Sequence, residues 1–119
     1  MAPVWRSLLY VPANNRRFID KAHTRGADAI ILDLEDSVPA AERDRARSML
    51  AESAAISSQA GSDVVVRINR PDAEAISDLD ATVIAGVDAL MLPKVDDAAH
   101  VLALADAVEK LESERGLTP

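Results

Sequence analysis

Four short apolar runs, each followed by a segment of helix length, constrain this chain more than any other feature. The runs are centred near Leu9, Ile31, Val66 and Leu90. Each is mostly aliphatic and short, and the second, Ala29 to Leu32, is β-branched enough to read as a buried strand. Strands separated by a helix cannot close as hairpins; they pair in parallel through right-handed crossovers. The expected fold class is therefore α/β. Two closures remain open at this level: a doubly wound sheet, or part of a (β/α)8 TIM barrel. The first strand-to-helix turn, VPANN, lacks a glycine-rich phosphate fingerprint, which weakens a dinucleotide-binding reading.

Local chemistry sets the boundaries. Arg6 to Pro12 reads as the first strand, stopped by a proline that has no N–H for a ladder. Asn14 or Asn15 caps a helix to about Arg25, with Phe18, Ile19 and Ala22 as its apolar stripe and Gly26 at its end. Ala27 to Val38 carries the second strand. Pro39 opens a helix to about Ile56. Asp63 to Asn69 is the third strand, broken by Pro71. The spacing predicts a helix from Asp72 to Ile84 with Ile76, Leu79 and Val83 on one face. Val87 to Leu92 is the fourth strand, stopped by Pro93. Asp96 or Asp97 then caps a last helix carrying Val101, Leu104, Val108 and Leu111.

Composition narrows the function. With 49% hydrophobic but only 3% aromatic residues, the core must be aliphatic. A net charge of −7 argues against nucleic acid or an anionic membrane as partner, because both demand basic surface. No Cys is present, so disulfides and thiolate metal sites are excluded. His23 and His100 have no partner at metal-ligand spacing. The N-terminal stretch lacks signal-peptide character, and no run approaches the ~20 apolar residues of a membrane helix. The expectation is one domain in a cytoplasmic protein.

Polar residues gather at the strand ends. The first strand ends in Tyr10 and Pro12, the second in Asp33, Glu35 and Asp36, the third in Arg67 and Asn69, the fourth in Pro93 and Lys94. Ligands of α/β folds bind at that edge of the sheet. Arg67 stands out because it interrupts VVVRIN, where an interior guanidinium needs a partner. Its planar fork suits a carboxylate, either a substrate's or that of Glu35 or Asp36. The alternative is a purely structural Arg–Asp pair. Glu42, Arg43, Asp44, Arg45 and Arg47 read as a solvated helix face. Trp5 reads as a cap on the core, and Arg16 and Arg17 as surface charges or contacts to a phosphate.

Taken in order, RSLLYVPANN, ILDLEDSV, VVVRIN and LMLPKV resemble the citrate lyase β-subunit-like family, which belongs with the malyl-CoA lyases and HpcH/HpaI aldolases. Ala13 stands where that family often has glycine. The resemblance implies a TIM barrel, a Mg²⁺-dependent carbon–carbon lyase and a homotrimer. Its substrates would be acyl-CoA or acyl-carrier thioesters that cleave to, or condense with, a 2-oxo acid. By the same resemblance Arg67 holds the oxo-acid carboxylate, and Glu35 and Asp36 are the catalytic acids beside the metal. Tyr10, Val11 and Arg17 fall on the coenzyme A side, and Lys94 lies in the LPK motif with its role open. Residues 1–119 would then be the N-terminal half of a TIM-barrel lyase domain, about four βα units. The direct Mg²⁺ ligands are expected on strands beyond Pro119, so none is assigned here, and the chain alone is expected to be inactive. A non-catalytic binding or assembly module on the same half barrel is the alternative.

Overall fold

A computed structural model describes residues 3–70 and 72–118, with Asp72 and Ala73 described in backbone only. The strand break assigned to Pro71 and the chain end at Pro119 lie outside the described residues. Four strands, β1 (Leu8–Pro12), β2 (Ala29–Asp33), β3 (Asp63–Arg67) and β4 (Ala89–Met91), form one sheet in sequence order, with every pairing parallel. Helices α1 (Arg16–Ala22), α2 (Arg43–Ser58), α3 (Asp72–Thr82) and α4 (Ala98–Arg115) alternate with them. No helix among the described residues is long and apolar enough to cross a membrane.

The two faces of the sheet differ, because residues two apart on a strand share a face. Ile30, Leu32, Val64 and Val66 point to the helix layer, where Ile19, Leu50 and Leu79 meet them. All four helices contribute to this core, and each fully buried side chain of that size stabilises the fold by about 1.5–3 kcal/mol. The opposite face carries Ala29, Ile31 and Val65, packed by Trp5, Ala89 and Met91, with no helix among them. A doubly wound sheet would have helices on both faces. Here they cover only one.

Several ends differ from the sequence expectation, each for a polar reason. β1 starts at Leu8, not Arg6, because the Arg6 and Ser7 amides donate to the Asp28 carboxylate at 2.7 and 3.2 Å instead of to a ladder. β3 ends at Arg67, not Asn69, because the Asn69 amide donates to Asp78 Oδ2 at 2.6 Å. β4 is shorter than expected, since the Val87 amide closes a turn onto Ile84 O. α1 gives way at His23 to a 3₁₀ turn that Gly26 ends at φ 76°, a left-handed conformation that glycine adopts without strain. Pro39 precedes a 3₁₀ turn, and α2 proper begins at Arg43. Asn15 caps α1 and Asp97 caps α4. Phe18 and Ile76, expected on apolar stripes, are 53% and 70% exposed; Ala75 and Leu79 of α3, with Val83 just past its end, are the buried apolar residues there.

Candidate functional site

Register builds the site. Pro12, Asp33, Arg67 and Met91 form one row across the C-terminal edge of the sheet, on the face without helices. Asp33 is its hub, at 1% exposure. Its Oδ1 accepts from the Glu35 amide at 2.9 Å. Its Oδ2 accepts from the Ser37 amide at 3.0 Å and the Ser37 hydroxyl at 2.6 Å. An aspartate at a strand end that binds the next amides in this way turns the chain. The turn brings Glu35 back into the rim at 4% exposure.

Arg67 closes the pair. Its Nε and Nη2 donate to Asp33 Oδ1 and Oδ2, both at 2.8 Å, a side-on bidentate contact. The fork's partner within the chain is therefore Asp33 rather than Glu35 or Asp36, so the contact seen is an Arg–Asp pair, the alternative the sequence left open. Directly opposed register positions on β2 and β3 put the two side chains within reach, whereas Glu35 Oε1 stands 3.5 Å from Nε. The guanidinium also lies over the Tyr10 ring, 4.8 Å from its centroid, within cation–π range. A guanidinium has five N–H donors. Among the described residues, the two on Nη1 and the second on Nη2 make no hydrogen bond, so the end-on fork is uncommitted.

Lys94 completes the rim from the β4 side. Its Nζ donates to Glu35 Oε2 at 2.5 Å and lies 3.4 Å from Asp36 Oδ1. The hydrogen bond to Glu35 raises the Lys94 pKa. Lys94 is the one non-glycine among the described residues with positive φ, at 49°, and its carbonyl accepts from Arg70 at 2.7 Å. Strained backbone of this kind persists only where the surroundings hold it. Glu35 is thus enclosed in the rim, while the Asp36 side chain, 69% exposed, stands at its border.

The electrostatics have a measurable consequence. Burial raises the Asp33 pKa, but the Arg67 guanidinium, the Ser37 hydroxyl and the two amides outweigh it and hold the carboxyl at about 2, below its ordinary 3.8. Between those values the unfolded chain binds more protons than the folded one, so stability falls as pH drops through that window. Asp33 contributes about 2 kcal/mol in this way, fully present above pH ~4 and lost near pH ~2. Urea titrations at stepped pH, read by the fluorescence of the lone tryptophan, Trp5, should show that slope. Asp33→Asn should flatten it, and an unchanged slope in that variant would assign the acid sensitivity to another carboxylate.

Tyr10, Val11 and Arg17 come together elsewhere, at the free edge of β1. They line a cavity of about 460 Å³ with Phe18, Lys21 and Arg25. Arg16 is drawn off to Asp20 and Glu52, at 2.7 and 3.1 Å. Arg17, Lys21 and Arg25 have no acidic partner within ion-pair distance among the described residues. In a chain of net charge −7 these three cations share one cavity.

The described residues do not form a Mg²⁺ shell by themselves. No group of three His, Cys, Asp or Glu among them is arranged to hold a metal ion. Asp33 spends its oxygens on five hydrogen bonds, and Glu35 faces a lysine. Sequence reasoning placed Asn69 at the strand end but missed its partner Asp78 and the inward turn of Arg47. Arg47 is not part of a solvated face: its side chain, 12% exposed, reaches Asp78 at 2.7 Å, and Asp78 is fully buried. The signal was available, because Asp78 falls between Ala75 and Thr82 at helical spacing on the buried face of α3.

From residue 6 to residue 118 the chain matches the sequence profile of the family described as HpcH/HpaI aldolase/citrate lyase. It is 39% identical over 112 residues to the citrate lyase subunit beta of Leuconostoc mesenteroides subsp. cremoris, covering 93% of this chain and 37% of that protein. It is also 39% identical over 108 residues to a (3S)-malyl-CoA thioesterase of Cereibacter sphaeroides, covering 90% and 38%. A solved citrate lyase beta subunit from M. tuberculosis, complexed with oxaloacetate and magnesium, superposes with a TM-score of 0.64 at 36% identity, covering 82% of this chain and 42% of the other. The chain thus spans less than two fifths of the length of these two curated relatives.

Proposed function

Because the chain belongs to the HpcH/HpaI aldolase/citrate lyase family, we propose that its strand-end rim is the oxo-acid side of a carbon–carbon lyase site, carried on half of a (β/α)8 barrel. The observation that carries the reading is the state of Arg67. Asp33 grips it side-on, Tyr10 backs it, and its end-on donors are left for a second carboxylate. A structural pair and a substrate receptor are then the same arrangement. Cleaving or forming a bond beside a carbonyl passes through an enolate, and two fixed cations, Arg67 and Lys94, oppose its charge. Glu35, held against Lys94, and Asp36 at the border are the acids of that rim.

The cavity at β1 suits the thioester partner. Arg17, Lys21 and Arg25 supply cations for the phosphates of coenzyme A, and Tyr10 touches both this cavity and Arg67. Lys21→Ala and Arg17→Ala should each weaken coenzyme A binding about tenfold by calorimetry, since each removes one cation from an anion site. Unchanged binding in both would overturn the assignment. Magnesium enters the proposal by similarity to the relative that binds it, and its ligands on this reading are carboxylates other than those described. Turnover by the described residues alone is not expected.

The half-barrel reading rests on the one-sided helix layer, the sequential strand order and the edges at β1 and β4, which pair with no further strand among the described residues. An apolar cavity of about 790 Å³ opens beside β4, lined by Leu90, Leu92, Val101, Leu104 and Val108. The same exposed surface favours a second reading, in which the chain is an assembly module and forms homo-oligomers. Ligand binding separates the two, since the lyase reading also implies an oligomer. Calorimetric binding of oxaloacetate supports the lyase half-site, and an oligomer by sedimentation that binds neither oxaloacetate nor coenzyme A supports the assembly module.

A further inference from the structure

Behind the rim, on the helix side of the sheet, lies a buried polar chain that the lyase reading does not use. Asp78 of α3, fully buried, accepts from Arg47 Nε at 2.7 Å, from the Asn69 amide at 2.6 Å and from Asn69 Nδ2 at 2.9 Å. Arg47 also pairs with Glu74. The second hydrogen of Asn69 Nδ2 goes to the Leu34 carbonyl at 2.8 Å, while the Leu34 amide donates to Arg67 O at 3.0 Å. Leu34 is the residue between Asp33 and Glu35. Its peptide groups are therefore tied at both ends to the stretch of chain that carries Arg67.

A buried ion pair of this kind costs desolvation that an apolar replacement would avoid, so fold stability alone does not require it. What it supplies is geometry. We propose that Asn69, held by Asp78 and Arg47, is the positioning residue of the rim: it locks the peptide between Asp33 and Glu35 against β3 and so fixes both acids relative to Arg67. The carbonyl of Leu34 has no other partner among the described residues, and without the Asn69 donor the peptide after Asp33 is tied to the third strand by the Leu34 amide alone. The Arg67 contact then loosens although neither of its own side chains has changed. Asn69 touches no reacting atom on this account and acts through the backbone.

The proposal does not need the lyase reading, and its test is chosen accordingly. Nitrogen-edited NMR of the wild-type chain would follow the Arg67 Nε–H proton, which the Asp33 bond shields from solvent exchange. Asn69→Ala should speed that exchange about tenfold, and Asn69→Ser, which keeps a short hydroxyl donor for Asp78 but is too short for Leu34, should do the same. Ile19→Ala serves as the control, since it opens the same helix-side core from α1, an element that contributes no residue to the polar chain. Exchange in both Asn69 variants no faster than in Ile19→Ala, compared at equal global stability, would overturn the proposal. A second readout, oxaloacetate affinity, should fall about tenfold in the same variants. If the wild type binds no oxaloacetate, the oxo-acid reading fails and the exchange result alone decides the positioning role.

Discussion

Replacing Arg67 by alanine should lower stability by about 3 kcal/mol and abolish oxo-acid binding together. The first effect follows from what is left behind. Asp33 is 1% exposed and, without Arg67, keeps only the Ser37 and Glu35 donors to hold a buried negative charge. Removing one partner of such a pair costs about 3–5 kcal/mol, and the lower end applies because the Arg67 side chain is 20% exposed. Against a typical total of 5–15 kcal/mol the domain should remain folded, so the binding loss can be read separately. Arg67→Lys keeps the charge but not the fork and cannot contact both Asp33 oxygens side-on. It should recover part of the stability and little of the binding. Urea unfolding followed by Trp5 fluorescence, with calorimetric titration of oxaloacetate, checks both arms. Full binding in folded Arg67→Ala would remove the residue from the site.

Asp78→Ala should cost about as much, although it lies in the helix layer. It takes from the Arg47 guanidinium, 12% exposed, its one fully buried partner, leaving Glu74 and the exposed Asp44, and leaves the Asn69 amide and one Nδ2 hydrogen without an acceptor. Unsatisfied buried donors cost about 1–3 kcal/mol for neutral groups and more for charged ones. We therefore expect a loss of about 3 kcal/mol. The comparison is Asp80→Ala, two residues away on the same helix. Asp80 pairs with Arg115 at 2.7 Å, but its side chain is 80% exposed, and exposed pairs contribute about 0–1 kcal/mol. Equal losses in the two variants, measured by urea unfolding, would refute the distinction drawn between them.

Much of this was legible in the sequence, for identifiable reasons. The four strands and four helices follow from aliphatic runs and helical spacing, which tertiary context reinforces here. That Asp33, Glu35, Arg67 and Lys94 converge follows from parallel strand ends sharing one edge. Which carboxylate takes the fork did not follow. A register of Asp33 opposite Arg67 decides it, and register is set by pairing between strands, not by either strand's residues. Strand ends were misplaced where side chains competed for backbone amides, as Asp28 does at Arg6 and Asp78 does at Asn69. Arg47 was misread because its neighbours Asp44 and Arg45 are surface charges, while Arg47, and to a lesser degree Arg43, turn inward toward α3. Phe18 and Ile76 show the reverse: apolar residues at helical spacing that the fold leaves outside.

The central claim, that Arg67 and Lys94 form a receptor for a 2-oxo acid, is tested most directly by NMR titration of the wild-type chain with oxaloacetate. The account expects the Arg67 side-chain and Lys94 signals to shift saturably and together, while Arg115, paired to Asp80 away from the rim, stays still. Signals of Arg67 and Lys94 that do not move at millimolar oxaloacetate, or that move no more than Arg115, would contradict it.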